Sequence, residues 1–401
     1  MDNMSPCPKL RYRPSDLLDS CLDELHYPDM ADRRAQVRPA TAGTYEWNLR
    51  SDPPSVLQEH DVLHWLSSGE QSHQIYCIFG KPGSGKSTLM QFLDEQLTSA
   101  YLLPWAQGEN IVRLQHYFWN PGSALQRSQM GMIQSLLYQM LSQEPRQDLM
   151  LSRPAQVSSL SVLANSIQKY MARTATSQAC FSLIDGLDKL ESDDITREDL
   201  VEFLIEIARF PNVKICLLCR PWDIFCDAFD AFPQLGLTKL TRGDIKVFVK
   251  AQPSSHPQFR RPARAHERVA GDFVRQLCKY TWGVMLWVHL VTRELVAGLR
   301  KVDGTKTLQR RLDSTPADLN DYFECMIDSI DSDLRCEASI LLHSALHEEE
   351  DFDSVHTITL MDLSYTEGES SNFVIPSERH MEAATSAYRQ SLNFRLASTL
   401  R

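Results

Sequence analysis

Nine consecutive residues, Gly80-Lys81-Pro82-Gly83-Ser84-Gly85-Lys86-Ser87-Thr88, carry the most specific chemistry in this sequence. Their spacing satisfies the pattern G-x-x-x-x-G-K-[ST]. Glycines at 80, 83 and 85 let the backbone turn tightly and bring its N–H groups against phosphate oxygens, while the start of a following helix adds a positive dipole end. Lys86 supplies a mobile ammonium for terminal phosphates, and the Ser87 hydroxyl stands one residue on to ligate magnesium. Lys81, Pro82, Ser84 and Thr88 complete the cradle, so Gly80 through Thr88 is the expected contact set for a nucleoside triphosphate. An ordinary glycine-rich turn has a similar composition. The context separates the two: an apolar run, Ile75 to Phe79, enters the loop, and an amphipathic stretch with Leu89, Met90, Phe92, Leu93 and Leu97 leaves it.

Such a loop needs an acid at the end of a neighbouring strand to hold the metal and its water. Phe181-Ser182-Leu183-Ile184-Asp185-Gly186-Leu187-Asp188 has that form. Asp185 is assigned to magnesium through water, together with Ser87, and Asp188 to polarising the attacking water. Arg220 directly follows the apolar run Val213 to Cys219. That position puts its guanidinium at the edge where nucleotides bind, beyond the carboxyl ends of parallel strands, with a terminal phosphate to sense. Cys216 and Cys219 form a C-x-x-C, but they lie inside a run that reads as a buried strand and have no second pair, so inert thiols are expected. Trp119, Trp222, Trp282 and Trp287 are read as packing residues, not as base-stacking platforms.

The elements that must position these groups alternate. A helix is predicted over 56–67, a strand over 74–79, a helix over 87–100 and a strand over 111–119. Helices over 129–141 and about 155–171 follow, then a strand over 179–184, a helix over 197–208 and a strand over 213–219. Alternation of this kind implies an α/β fold, a parallel sheet flanked by helices on both faces. Beyond Pro221 helical patterns dominate, at 242–250, 268–281, 286–299 and 319–330, with a Pro-, Ser- and Arg-rich linker over 252–265. The expected division is a lead-in segment 1–43, a nucleotide-binding domain 44–232, a mostly helical domain 233–335 and a tail 336–401 without clear pattern.

A formal charge of −11 argues against coating DNA or RNA, which relies on a surplus of Lys and Arg. Hydrophobic residues at 43% and charged residues at 23% are those of a folded globular chain. Lys9, Arg11 and Arg13 are followed by no apolar stretch, and the run Trp282 to Val291 is about half of the ~20 residues a bilayer span needs. No membrane span is expected, and the cytoplasm is the expected location. The acidic run Glu348 to Asp353 is read as a solvated charge run. GTP is disfavoured because no Asn-Lys-x-Asp or Thr-Lys-x-Asp segment is present to read guanine; Thr238-Lys239 is followed by Leu240-Thr241.

Seven segments in order carry a resemblance. They are Thr44-Tyr45-Glu46-Trp47, the loop from Phe79 to Met90, Tyr117-Phe118-Trp119-Asn120-Pro121-Gly122 and Ile184-Asp185-Gly186-Leu187-Asp188. Cys219-Arg220-Pro221-Trp222, Leu240-Thr241 and Trp282 to Val288 complete the set. From about Leu22 to Ile330 the sequence resembles the NACHT ATPases of the STAND class, in the fungal, nephrocystin-like N-terminal type found in receptors of the NOD-like kind. The resemblance implies a P-loop NTPase domain followed by a winged-helix-like helical domain, with ATP or ADP and Mg as cofactors. It further implies a signal-transduction switch, ADP-bound and closed at rest, ATP-bound and self-associating once a sensor is engaged. In related proteins an effector domain precedes the module and repeats often follow it; neither is evident in this sequence, so a truncated or degenerate relative or an adaptor is the expectation. One departure touches the chemistry: the family pattern has an acid after Asp188, and this chain has Lys189. Nucleotide binding with slow or absent hydrolysis is therefore expected. A binding-only scaffold and a P-loop kinase are the competing readings.

Overall fold

The long apolar runs read from the sequence become strands buried on both faces. In the computed structural model β1 (Ile75–Phe79), β3 (Gln178–Asp185) and β4 (Val213–Cys219) are buried at every position. β2 (Asn110–Tyr117) and β5 (Gln234–Gly236) complete a five-stranded sheet in the order β2-β3-β4-β1-β5, with every pairing parallel. The structure describes residues 14–49, 61–68, 74–97, 99–107, 109–143, 159–191, 195–254, 283–300, 310, 315–316 and 318–330.

Because successive side chains of a strand point to opposite faces, the sheet divides its apolar residues between two cores. Ile75, Cys77, Ile184, Ile215 and Cys219 pack on one side. There they meet α1 (Pro14–Leu25), α6 (Gln129–Gln143), α7 (Leu160–Thr174) and α8 (Arg197–Ala208). Tyr76, Ile78, Phe181, Leu183, Cys216 and Leu218 pack on the other. Their partners are α3 (Val62–Ser67), α4 (Lys86–Gln96) and α5 (Ser99–Ala106). A short helix, α2 (Asp32–Gln36), precedes α3, and α9 (Asp223–Ala228) follows β4. Cys216 and Cys219 thus lie in different cores, on opposite faces of β4, and both are free thiols. A C-x-x-C laid on a strand cannot bring its sulfurs to one ion.

Lys214, at the start of β4, is fully buried and donates through Nζ to the carbonyls of Trp65 (2.5 Å) and Ser68 (3.0 Å). These are carbonyls at the end of α3, which need donors and carry the negative end of the helix dipole. The ammonium also lies 4.9 Å from the Trp65 ring, yet burial lowers its pKa to about 7. The outer edge of β2 is closed by side chains of α6. Gln143 accepts from the Arg113 N–H (3.1 Å) and donates to the Arg113 carbonyl (2.8 Å), and Gln139 does the same at Gln115 (2.9 and 2.8 Å). Two glutamines four residues apart thus act as a substitute strand.

A third cluster joins α10 (Thr241–Ser254), α11 (Met285–Arg300) and α12 (Leu319–Asp328) through Ile245, Phe248, Trp287, Val288, Val291 and Tyr322. Among the described residues this part is helical, as expected.

Several boundaries differ from the sequence reading. The helix predicted over 87–100 ends at Gln96, and a separate helix, α5, follows with Pro104 inside it. α9 and β5 were not foreseen: six and three residues are too short to show a period, and β5 lies past the expected boundary at 232. α10 runs on to Ser254, into the stretch read as linker. α3 is described from Val62, capped by Asp61, and α7 starts at Leu160. Residues 56–60 and 155–158, the linker from 255, the helix over 268–281, Trp282 and the tail lie outside the described residues. Among the described residues no helix is long and apolar enough to cross a membrane.

Candidate functional site

Parallel register brings the carboxyl ends of the strands to one edge. Phe79 is level with Cys219, Asp185 with Leu218, and Tyr117 with Asp185. The residues that follow these strands, Gly80, Arg220, Gly186 and Phe118, therefore share a rim, and the glycine loop lies between β1 and α4. Gly83 (φ +68) and Gly85 (φ +91) occupy the left-handed region that a glycine enters without strain. Gly85 is the residue before α4, and it provides no side-chain cap. By position, the first-turn N–H groups of Lys86, Ser87 and Thr88 have no acceptor within the helix, which is the opening an anion fills.

Ser87 Oγ donates to Asp185 Oδ2 at 2.5 Å across 98 residues of chain. Asp185 is 1% exposed, and its other oxygen, Oδ1, is buried with no hydrogen-bond partner. A hydroxyl touching a buried, half-satisfied carboxylate is a donor set that suits a hard, oxygen-seeking cation, and magnesium fits it. Lys86 meanwhile folds back on its own loop, donating to the carbonyls of Gly80 (2.6 Å) and Lys81 (3.1 Å). Burial lowers its pKa, and the Asp188 and Asp185 carboxylates oppose that shift. Pro82 and Thr88 are half-buried, Lys81 is exposed, and the buried Ser84 Oγ has no partner.

Asp188 and Arg220 come together, but as a closed pair. Arg220 Nε lies 2.9 Å from Asp188 Oδ2, and the Arg220 N–H donates to Asp188 Oδ1 at 3.1 Å. Both carboxylate oxygens are therefore engaged, which leaves Asp188 better placed to aim Arg220 than to take a proton. The indole of Trp222 is half-buried, with the guanidinium carbons of Arg197 and Arg220 5.0 and 5.9 Å from its ring centre. Trp119 has Arg33 at 5.9 Å, and Trp287 is buried, donating to Pro316. Trp222 and Trp287 pack against hydrophobic clusters, as their sequence surroundings suggest, whereas Trp119 is half-buried and belongs to none of the three clusters.

Two contacts on the loop are invisible in local sequence. The Leu286 N–H, at the start of α11, donates to the Gly83 carbonyl at 2.9 Å, and Tyr45 Oη donates to the Gly85 carbonyl at 3.3 Å. A Cβ on Gly83 would meet Leu286 Cβ at 2.9 Å, and one on Gly85 would collide with Tyr45 Oη. Tyr45 holds an uncommon φ of +62 for a non-glycine residue. Asp244 on α10 accepts from the Tyr45 N–H and from Trp47 Nε1, both at 2.9 Å. Burial, with Asp244 adding to it, raises the Tyr45 pKa. Segments 44–47 and 282–288 entered the resemblance quoted above, which was the one available signal for these residues.

The family described as nephrocystin 3, N-terminal, matches residues 54–220, a stretch that contains the loop, Asp185, Asp188 and Arg220. That match supports an NTPase module of this type over those residues. No curated protein matches the chain. Among solved structures it is similar to a chain of Drosophila ORC bound to DNA, with a TM-score of 0.44 and 12% identity over 98% of this chain and 88% of that one. It is also similar to a Walker-type ATPase of Pyrococcus abyssi, with a TM-score of 0.37 and 13% identity over 78% of each chain. A third is C. elegans PCH-2, with a TM-score of 0.30 and 13% identity over 74% of this chain and 73% of that one.

Proposed function

We propose that this chain is a nucleotide switch of the NACHT type, which binds ATP or ADP with magnesium in the cytoplasm and signals by self-association. The observation that carries the reading is the 2.5 Å contact of Ser87 with Asp185 beneath a loop whose glycines hold left-handed φ. In this reading the amides of the loop and of the first turn of α4 receive phosphate oxygens. Lys86 leaves the carbonyls of Gly80 and Lys81 to face the terminal phosphates, and Ser87 and Asp185 hold the metal. Magnesium, when bound, neutralises phosphate charge. Arg220, fixed by Asp188, stands at the rim as the sensor of a terminal phosphate.

A switch needs nucleotide contacts to differ between two arrangements of the molecule. The hydrogen bonds from Leu286 and Tyr45 to the loop give phosphates a route to the helical segment and to the segment before the sheet. Hydrolysis then serves to reset the state. We expect it to be slow, because Lys189 Nζ lies 3.7 Å from Asp185 and Asp188 is engaged by Arg220. The same two facts favour the second reading, a binding-only scaffold.

Calorimetric titration of MgATP and MgADP into the wild type and Lys86→Ala tests the site. Both nucleotides should bind the wild type, and the variant should lose at least ~100-fold in affinity, the scale of two charge-assisted contacts. Equal affinity in the variant would reject the site. Light scattering with ADP and with a slowly hydrolysed ATP analogue tests the switch: mass should rise with the analogue alone, and constant mass leaves the scaffold or a kinase. Lys189→Glu should raise ATP turnover; a fast wild type unaffected by the change would refute the expectation of slow hydrolysis.

A further inference from the structure

Lys189 closes a single turn, Leu187–Lys189, that begins at Gly186 with φ +80. The side chain folds back over that glycine, so that a Cβ there would meet Lys189 Nζ at 2.9 Å and Cδ and Cε at 3.0 Å. Its ammonium donates to the Phe118 carbonyl at 3.1 Å and lies 3.7 Å from Asp185 Oδ2. That oxygen is the one that accepts the Ser87 hydroxyl. The Lys189 side chain is 19% exposed and that of Asp185 1%. The chain's own cation is thus fixed beside the carboxylate assigned to the metal, by a left-handed glycine on one side and a main-chain carbonyl on the other.

We infer that Lys189 is a built-in counter-ion of Asp185 that takes over part of magnesium's charge role, so that this chain binds nucleotide with little dependence on divalent metal. The inference rests on the nucleotide site proposed above and concerns how that site is regulated. Two charges of like sign this close repel strongly where water is scarce. A divalent cation arriving between Ser87 and Asp185 meets the ammonium, and its affinity falls. The ammonium meanwhile stays within the site whether or not metal is present, and a tethered charge loses no freedom of translation on binding. With Lys86 and Arg220 it makes three cations facing Asp185 and Asp188, a local surplus of positive charge for phosphate to enter. Arg220 is already committed to Asp188 and Lys189 is held beside Asp185, which leaves Lys86 as the adaptable charge.

The test is titration of ADP and of ATP into full-length wild type, Lys189→Met and Lys86→Ala, each in magnesium and in EDTA, with thermal melts to establish folding. The wild type should keep its affinity within ~3-fold when metal is removed, and Lys189→Met should lose at least ~10-fold, one decade being about 1.4 kcal/mol. A wild type that loses tenfold or more in EDTA would overturn the inference while leaving the nucleotide site intact. So would a Lys189→Met variant as indifferent to metal as the wild type. A folded wild type that binds neither nucleotide in either buffer removes the site, and this inference with it.

Discussion

Asp188 and Arg220 show how a residue's role depends on what its oxygens already touch. The side chain of Asp188 is 2% exposed and that of Arg220 19%, and they meet at 2.9 Å. Burial lowers the Arg220 pKa, and the Asp188 carboxylate works against that shift. Removing one partner leaves the other as an uncompensated buried charge, at a cost of about 3 kcal/mol. Arg220→Ala and Asp188→Ala should each lose roughly that much stability in denaturant unfolding. The double variant should lose about 1–3 kcal/mol less than the sum. Additive losses would mean that the pair is an incidental contact. The same geometry predicts that Asp188→Asn, which keeps the shape but loses the charge, weakens discrimination between ATP and ADP more than affinity for ADP, as read by calorimetry.

Among the elements, β2 is the informative one. An edge strand exposes unpaired N–H and C=O groups that invite another chain. Here the Arg113 and Gln115 backbone groups are met by Gln143 and Gln139 of α6. Replacing Gln139 by leucine leaves the partly buried Gln115 N–H and C=O without that partner, at about 1–3 kcal/mol, whereas the Arg113 groups met by Gln143 are exposed and lose less. Gln139→Leu should therefore lower the denaturant midpoint, and Gln139→Leu/Gln143→Leu should associate without nucleotide in size-exclusion runs. A monomeric, fully stable double variant would show that the ladder has no protective role. This control also matters for the proposed switch, because it separates edge-to-edge pairing from nucleotide-driven assembly.

At the scale of the whole molecule, stability should fall in mild acid through His116. It is buried in β2 with its ring 4.6 Å from that of Phe118, and its Nε2 has no partner. Burial lowers its pKa from 6.5 to about 3. The unfolded chain therefore takes up a proton as pH drops below 6.5 while the folded chain does not, so stability is lost from there down to about pH 3. Between pH 7 and 5 this amounts to about 2 kcal/mol, at 1.36 kcal/mol per pH unit below 6.5. Denaturant midpoints at the two pH values should show the loss in the wild type and not in His116→Leu; an equal loss in both would assign it to other groups. The sequence by itself determined the phosphate loop, Asp185 and the alternating α/β plan. A cradle of main-chain amides needs only contiguous backbone angles, and a strand covered on both faces needs only an unbroken apolar run. Tertiary structure alone decided that β4 separates β1 from β3, that Arg220 closes on Asp188, that Lys189 turns to Asp185 and that Leu286 and Tyr45 rest on the loop. Lys189 and Asp185 are only four residues apart, but the direction of the lysine side chain depends on the Phe118 carbonyl at the end of another strand. The other contacts join residues far apart in the chain, and they follow from strand order and helix docking, which minimise exposed apolar surface over the whole molecule and leave no local trace in the sequence.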